Sequence, residues 1–421
     1  MARPEAPQAV RHVDTGLRPG QADGGVPGLH PAAKELVKRE IPHAFIDAQL
    51  ARYTPEATQI RSVRRFDPFA VSDRLIGMAG NNFAIAVDAG GKKEAIEVVG
   101  IKPDGRLESI GRMQPFRSVQ GEGYMEKIDA VARQTDGGRD FAVGFSVAGP
   151  TDGTKPEVLT NLSKMQDDLA EPPYNGDLAN AFPNATSVDG DNDAITGAVA
   201  AAIEATRENA NIKKVLFIIN GGGLGGAVWA DGEMMAAEPG HIAAISELNP
   251  FGRDTLCGQE TSPAKDQVCV ERLAGSGAGV EALHYMVTGK TKIVDGQPVP
   301  LEGEEIEQLY LDGDETATKI IDYAAIITAT AILGLDQATR PEDQKDGTFD
   351  ASSTAIVGHG GFFRYQGVRE RVARIIKERT GSEPTMLFAD DFTKETTGNA
   401  CADGAAILAF TATQRDVEPA A

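Results

Sequence analysis

The chain is short of several features that would settle its class directly. Its 421 residues include three cysteines, Cys257, Cys269 and Cys401. That is too few for a disulfide framework, and the scarcity fits a reducing compartment. No apolar run reaches the roughly 18 residues that a membrane helix needs. The nearest candidate, residues 323–335, carries threonines. The N-terminus has no compact apolar segment of the kind found in secretory signals, so a cytoplasmic protein without a membrane partner is expected. Positive charge is also scarce: 41 Lys and Arg stand against 62 Asp and Glu, a net charge of −21. A nucleic-acid backbone needs a positive surface, so nucleic acid is not expected as a partner. A single bound phosphate is not excluded, because helix ends and backbone amides supply a local positive field.

Glycine, by contrast, is abundant, at 47 residues. Its densest run organises the chain. Residues 215–219 are a short apolar stretch rich in β-branched side chains and read as a buried strand. Asn220 follows, then Gly221, Gly222, Gly223, Leu224, Gly225 and Gly226. A second apolar stretch, 227–230, ends at Asp231-Gly232, a hairpin turn. Glycine permits positive φ and lets backbone N–H groups approach a ligand that side chains would hold away, so the loop suits a nucleotide phosphate. Taken alone, the same run also describes a tight hairpin in a glycine-rich protein.

Taken in order, residues 1–30 read as a flexible leader rich in Gly, Pro and Ala. Residues 31–80 read as an N-terminal helical extension that Pro42 should bend or interrupt. Alternating strand and helix patterns then predict a doubly wound α/β architecture. A first lobe is expected over 81–195, completed by a C-terminal helix at 396–412. A second lobe is expected over 196–395, with a loop-rich insertion at 242–279. Residues 186–188 are predicted as a short strand leading to an acidic cluster at 189–193, and 302–315 as solvated surface.

The chemistry concentrates at a few of these junctions. Asp88 sits at a strand exit before Gly90, Gly91 and Lys92, where a carboxylate can hold metal-bound water beside a phosphate. Gly360 and Gly361 form another strand-end glycine pair. None of these loops has the P-loop spacing. Asp193 reads as a general base for a hydroxyl acceptor, or alternatively as a simple helix cap. Glu238, His241 and Glu271 suit a polyol. His241, Cys257 and Cys269 also have the donor types for zinc, although two of the cysteines can equally be incidental.

These stretches resemble the ROK family of bacterial sugar kinases and related repressors, within the two-lobed actin-like ATPase (ribonuclease H-like) fold. AVDAGGKKEAIEVV resembles the family's DxGGTK phosphate motif, with Lys92 in place of threonine. DNDA at 191–194 resembles ENDAN and puts the base on Asp193, beside Asn192. GGGLGGAVWADG resembles GTGIGGGIVxxG, with Gly222 in place of threonine. EPGH at 238–241 resembles EIGH, and Asn161-Leu162 resembles the family's sugar-contacting pair. Of the family's CxCGxxGCxE, Cys257, Cys269 and Glu271 remain, while Thr255 takes the first cysteine position.

The resemblance implies ATP and Mg2+ as cofactors, a structural zinc as a further option, and a hexose held by Asn161, Asn192, Asp193, Glu238, His241 and Glu271. It also implies a homodimer. A kinase for glucose or an N-acetylhexosamine and a non-catalytic sugar sensor are the readings it leaves open. The extension shows no second, basic recognition helix, which favours the kinase.

Overall fold

The computed structural model describes residues 31–80, 82–90, 94–112, 122–135, 141–149, 151–157, 162–248, 257, 264, 266–273, 275–294, 296–341, 349–364 and 366–412. The leader 1–30 and the candidate site residues Gly91, Lys92 and Asn161 lie outside the described residues.

The extension opens with α1 (Pro31–Lys38) and α2 (His43–Leu50). Pro42 parts them, extended at φ −61 and ψ 142, as a residue without an N–H should. The extension is not purely helical. It continues into β1 (Arg61–Arg65) and α3 (Pro68–Gly77), the latter capped by Asp67, which accepts from the Phe69 and Ala70 amides. RSVRR has no apolar alternation to announce a strand, and its pairing with a distant edge decides its conformation.

Next comes an antiparallel meander, β2 (Phe83–Ala89), β3 (Glu94–Ile101) and β4 (Leu107–Arg112). Helix α4 (Tyr124–Thr135) crosses to β5 (Ala142–Val147), which runs parallel to β2. A small hairpin of β6 (Thr151–Asp152) and β7 (Lys155–Pro156) precedes α5 (Ser163–Ala170). Strand β8 (Ser187–Asn192) completes a sheet ordered β4-β3-β2-β5-β8 and passes directly into α6 (Asp193–Glu208).

A second meander follows: β9 (Lys214–Asn220), β10 (Leu224–Ala230) and β11 (Glu233–Ala237). Beyond it lie α7 (Gly277–Thr288), the hairpin β12 (Thr291–Val294) and β13 (Gln297–Pro300), α8 (Gly303–Leu311) and α9 (Glu315–Ala338). The chain closes with β14 (Thr354–His359), α10 (Gln366–Thr380), β15 (Thr385–Phe388), α11 (Ala389–Phe392) and α12 (Ala400–Thr411). The second sheet runs β1-β11-β10-β9-β14-β15. It repeats the plan of the first sheet, a meander followed by two parallel strands, with β1 added at one edge.

Helices α6 and α12 lie between the sheets, α6 against β9, β10 and β11, and α12 against β2, β5 and β8. They approach each other closely because their facing residues are small. A Cβ on Gly404 would stand 1.7 Å from the Thr196 carbonyl oxygen, so only glycine fits that crossing. Helix α9 is long and apolar enough to cross a membrane by length and composition, but 78% of its apolar stretch is buried inside the fold. It is a core helix, lined by Ile320, Ala324, Ile327, Ala331 and Leu335.

Two further expectations change. Residues 302–315 are not mere surface, because α8 folds there and buries Ile306 against the core. The strand expected over 186–188 runs further: β8 continues through 189–192 of the acidic cluster, in register with β5 through Asn192, and Asp193 opens α6. The alternation of β8 puts Asp189 and Asp191 on one face, with Val188 and Gly190 on the other.

Candidate functional site

Two helix beginnings bring the first pair of acids together. Asn192 caps α6, its Oδ1 accepting from the Ala194 amide at 2.9 Å, and its Nδ2 donates to the Gly149 carbonyl at 3.1 Å. Asp193 is therefore the first residue of the helix, and its own Oδ1 accepts from the Ala194 amide at 2.9 Å. Burial pushes the Asp193 carboxyl up to about 7. The neighbouring carboxylates Asp88 and Glu238 add to that rise, while the Ala194 amide and Asn192 oppose it.

Asp88 stands near the end of β2, opposite Ser146 of β5. Its Oδ1 accepts from the Ser146 hydroxyl at 2.9 Å and its Oδ2 from Asn399 Nδ2 at 2.6 Å. Burial raises its pKa against the pull of those two donors. Asn399 in turn caps α12 through its Oδ1 and the Cys401 amide at 2.8 Å. Both helices thus present their positive ends to the acids.

The glycine run forms the β9–β10 hairpin. Asn220 pairs with Leu224, leaving Gly221, Gly222 and Gly223 as the loop, closed by the Gly221 amide on the Gly223 carbonyl at 3.0 Å. A Cβ on Gly221 or Gly225 would meet nothing within 4 Å, whereas one on Gly223 would lie 2.8 Å from Glu271 Oε2. Gly226 is a packing position, its Cβ direction lying 3.1 Å from Pro239 Cγ. The second glycine pair abuts the first loop. Gly360 has φ +98 and lies against Asn220, whose carbonyl oxygen would be 2.4 Å from an added Cβ. Gly361 starts a short 3-10 turn, and Gly90 is half-buried just past β2.

Glu238, His241 and Glu271 meet beside this loop. Glu271 Oε2 accepts from the Leu224 amide at 3.1 Å, binding the residue to the hairpin. Glu238 faces His241 Nε2 at 3.9 Å across the turn Pro239–His241. Burial raises the Glu238 pKa; His241 opposes that rise, and Glu271 adds to it. The other imidazole nitrogen, His241 Nδ1, lies 3.5 Å from Cys257 Sγ. Donor atoms of His241, Cys257 and Cys269 fall within 4.8 Å of one another. That spacing and those donor types fit three of the four corners of a tetrahedral zinc site. A cavity of about 310 Å³ contains none of these groups; Arg64, Arg65, Arg74 and Asp189 are among the residues that line it.

No local signal marks Asn399 or Ser146 as partners of Asp88, since neither sits in a phosphate-type motif. His359, the last residue of β14, is a further residue that no sequence motif singles out. It stacks on Phe217 at 6.0 Å between ring centroids, burial lowers its pKa to about 4, and its Nδ1 is buried without a hydrogen-bond partner among the described residues. The His-Gly-Gly order beside a strand end was the available signal.

The fold and this clustering define an α/β protein of the actin-like ATPase class. The chain belongs to the ROK family, whose model matches residues 84–411. It is similar to the ROK hexokinase of Thermus thermophilus, at 20% identity and a TM-score of 0.52, covering 78% of this chain and 98% of that one. A ROK glucokinase from Streptomyces griseus, solved with glucose and AMPPNP, is 22% identical with a TM-score of 0.54, covering 79% and 100%. A glucokinase from Balamuthia mandrillaris, solved with glucose, is 14% identical with a TM-score of 0.52, covering 82% and 99%. No curated protein matches the chain.

Proposed function

We propose that the chain is an ATP-dependent hexose kinase that transfers the γ-phosphate to a sugar hydroxyl, O6 of glucose or a related hexose. One observation carries this reading: Asp193, with its carboxyl raised to about 7, stands at a helix start beside Asp88 and Glu238. A base poised near neutral pH suits removal of a proton from an alcohol as it attacks phosphorus.

In this reading Asp193 accepts the hydroxyl proton and orients the oxygen. Asn192, Glu238, His241 and Glu271, with Asn161, hold the ring hydroxyls. The amides of 221–223, with Gly225, Gly360 and Gly361, cradle the phosphates, and the DxGG stretch with Gly90, Gly91 and Lys92 would supply the second phosphate motif. Asp88 would hold Mg2+ through its water shell, and the ion would neutralise charge on the transferred group. His241, Cys257 and Cys269 would hold a structural zinc, leaving His241 Nε2 for the sugar side. The two lobes are 81–195 with 396–412, and 196–395. Their closure over ATP would exclude water. The working unit is a cytoplasmic homodimer.

The test is an ADP-release assay with Mg-ATP against a panel of hexoses and N-acetylhexosamines, run on wild type and Asp193→Asn. Sugar-dependent turnover that disappears in the variant supports the assignment. Near-normal turnover in the variant removes Asp193 as base. ATP binding without turnover on any sugar would favour a sensor.

A further inference from the structure

The segment ahead of the family-matched region reaches into the site from the side. Strand β1 pairs with β11, and a bulge at Val63 lets Ser62 and Arg64 oppose the adjacent residues Met235 and Met234. Bulges of this kind re-aim side chains. The far end of the strand is pinned: the Phe66 amide donates to the Gly232 carbonyl at 2.8 Å, and Trp229 Nε1 donates to the Phe66 carbonyl at 2.9 Å. Arg64 is thereby held on the second sheet and directed at the edge strand of the first.

All three guanidinium nitrogens are used there. Nη1 and Nη2 donate to the two Asp189 oxygens at 3.0 and 3.3 Å, Nε donates to Asp191 Oδ2 at 3.1 Å, and Nη2 reaches the Gly190 carbonyl at 3.2 Å. Asp191 is 2% exposed, so its charge requires such a partner. Its other oxygen accepts from the Asn192 amide at 2.9 Å and from the Thr151 hydroxyl at 3.5 Å. The next two residues are the helix cap and the candidate base.

We propose that Arg64 is a positioning residue for phosphoryl transfer: its fork fixes Asp189 and Asp191, and so sets where Asn192 and Asp193 leave β8. This rests on the reading of Asp193 as base. The segment before residue 84 is then part of the working enzyme, not a cover for it. In the nearby cavity Arg64 is engaged as described and Arg74 donates to the Thr411 carbonyl at 2.8 Å.

Arg64→Lys keeps the charge but not the planar fork, and Arg64→Met removes both. Both are compared with wild type and Asp193→Asn in full-chain protein, with thermal melts and separate titrations of ATP and sugar. Displacement of a catalytic group by about 1 Å costs on the order of a hundredfold. The expected result is therefore a folded Arg64→Lys with kcat lowered about tenfold or more, ATP KM within about twofold, and Arg64→Met lower still. Should Arg64→Met fail to fold, Arg64→Lys alone decides. Wild-type kcat in a folded Arg64→Lys, with Asp193→Asn inactive, overturns the positioning role and leaves the base intact. Near-normal turnover in Asp193→Asn overturns the base assignment and the positioning role with it.

Discussion

Asn399 donates from Nδ2 to Asp88 Oδ2 at 2.6 Å, joining residues 311 positions apart. The same side chain caps α12 through its Oδ1 on the Cys401 amide. One amide thus starts a helix and satisfies one oxygen of a buried carboxyl group. The two tasks can be separated. Asn399→Ser keeps a capping oxygen but is too short to reach Asp88. Its stability should fall by about 1–3 kcal/mol, because the buried Asp88 carboxyl loses one of its two donors, while the KM for Mg-ATP rises several-fold. Asn399→Ala should also lose about 1 kcal/mol through the cap. A wild-type KM in Asn399→Ser would detach Asn399 from the nucleotide site.

Activity should follow the Asp193 carboxyl. As a base it must be ionised, so kcat should rise with pH through about 7 and flatten above it. The stability effect has the opposite sign. The folded carboxyl holds its proton more tightly than the unfolded one, whose ordinary value is 3.8. Its stabilising contribution is complete below that value and is lost as pH rises through about 7. Asp193→Asn should therefore melt higher than wild type at pH 8, with the difference shrinking toward pH 5. A flat difference across that window would mean that the Asp193 carboxyl does not titrate there.

Much of this was legible in the sequence, because backbone chemistry writes local patterns. The glycine run announced the β9–β10 loop, Asp231-Gly232 announced its hairpin with φ +50 and +77, and Pro42 announced the break between α1 and α2. What stayed hidden depends on partners far away in the chain. RSVRR becomes β1 only because β11 offers an edge, and the acidic run extends β8 because β5 and Arg64 receive it. Asn399 looked like an ordinary polar residue until the fold set it against Asp88. Long-range pairing of this kind leaves no periodicity to read.

Gln49 offers a second check on the extension. It is 1% exposed, accepts from the Ile245 amide at 2.9 Å and donates to the Ala243 carbonyl at 3.2 Å. Close by, the Thr58 carbonyl accepts from the Glu238 amide at 2.9 Å. Gln49→Ala strands the buried Ile245 donor, at a cost of about 1–3 kcal/mol. It should also loosen the segment that carries Glu238 and His241, raising the sugar KM more than the ATP KM. Urea unfolding and the two titrations measure this. Equal rises in both KM values would disprove a selective effect.

The crossing of α6 and α12 makes a purely mechanical prediction. Gly404→Ala puts a methyl where the Thr196 carbonyl oxygen would be 1.7 Å away, and backbone cannot swing aside as a side chain can. The helices must separate, at about 1–3 kcal/mol or more. Because both helices begin at the candidate acids, kcat should fall along with the melting temperature. A stable Gly404→Ala with full activity would show that the helices can part without disturbing Asp88 and Asp193.

Zinc is testable apart from catalysis. Cys269 is fully buried in a small cluster with Cys257 and Ala264, and the contact to Cys257, together with burial, raises its thiol pKa when no cation is near. A bound cation reverses that preference, because thiolates are the ligating form. Protein purified without chelator should carry close to one zinc per chain by elemental analysis. Cys269→Ser should carry far less and melt lower, since binding only to the folded state is stabilising. Chelation should lower the wild-type melting temperature and leave Cys269→Ser unmoved. Metal-free wild type with the same melt as Cys269→Ser would instead make the trio a packing cluster, with His241 left to serve the sugar alone.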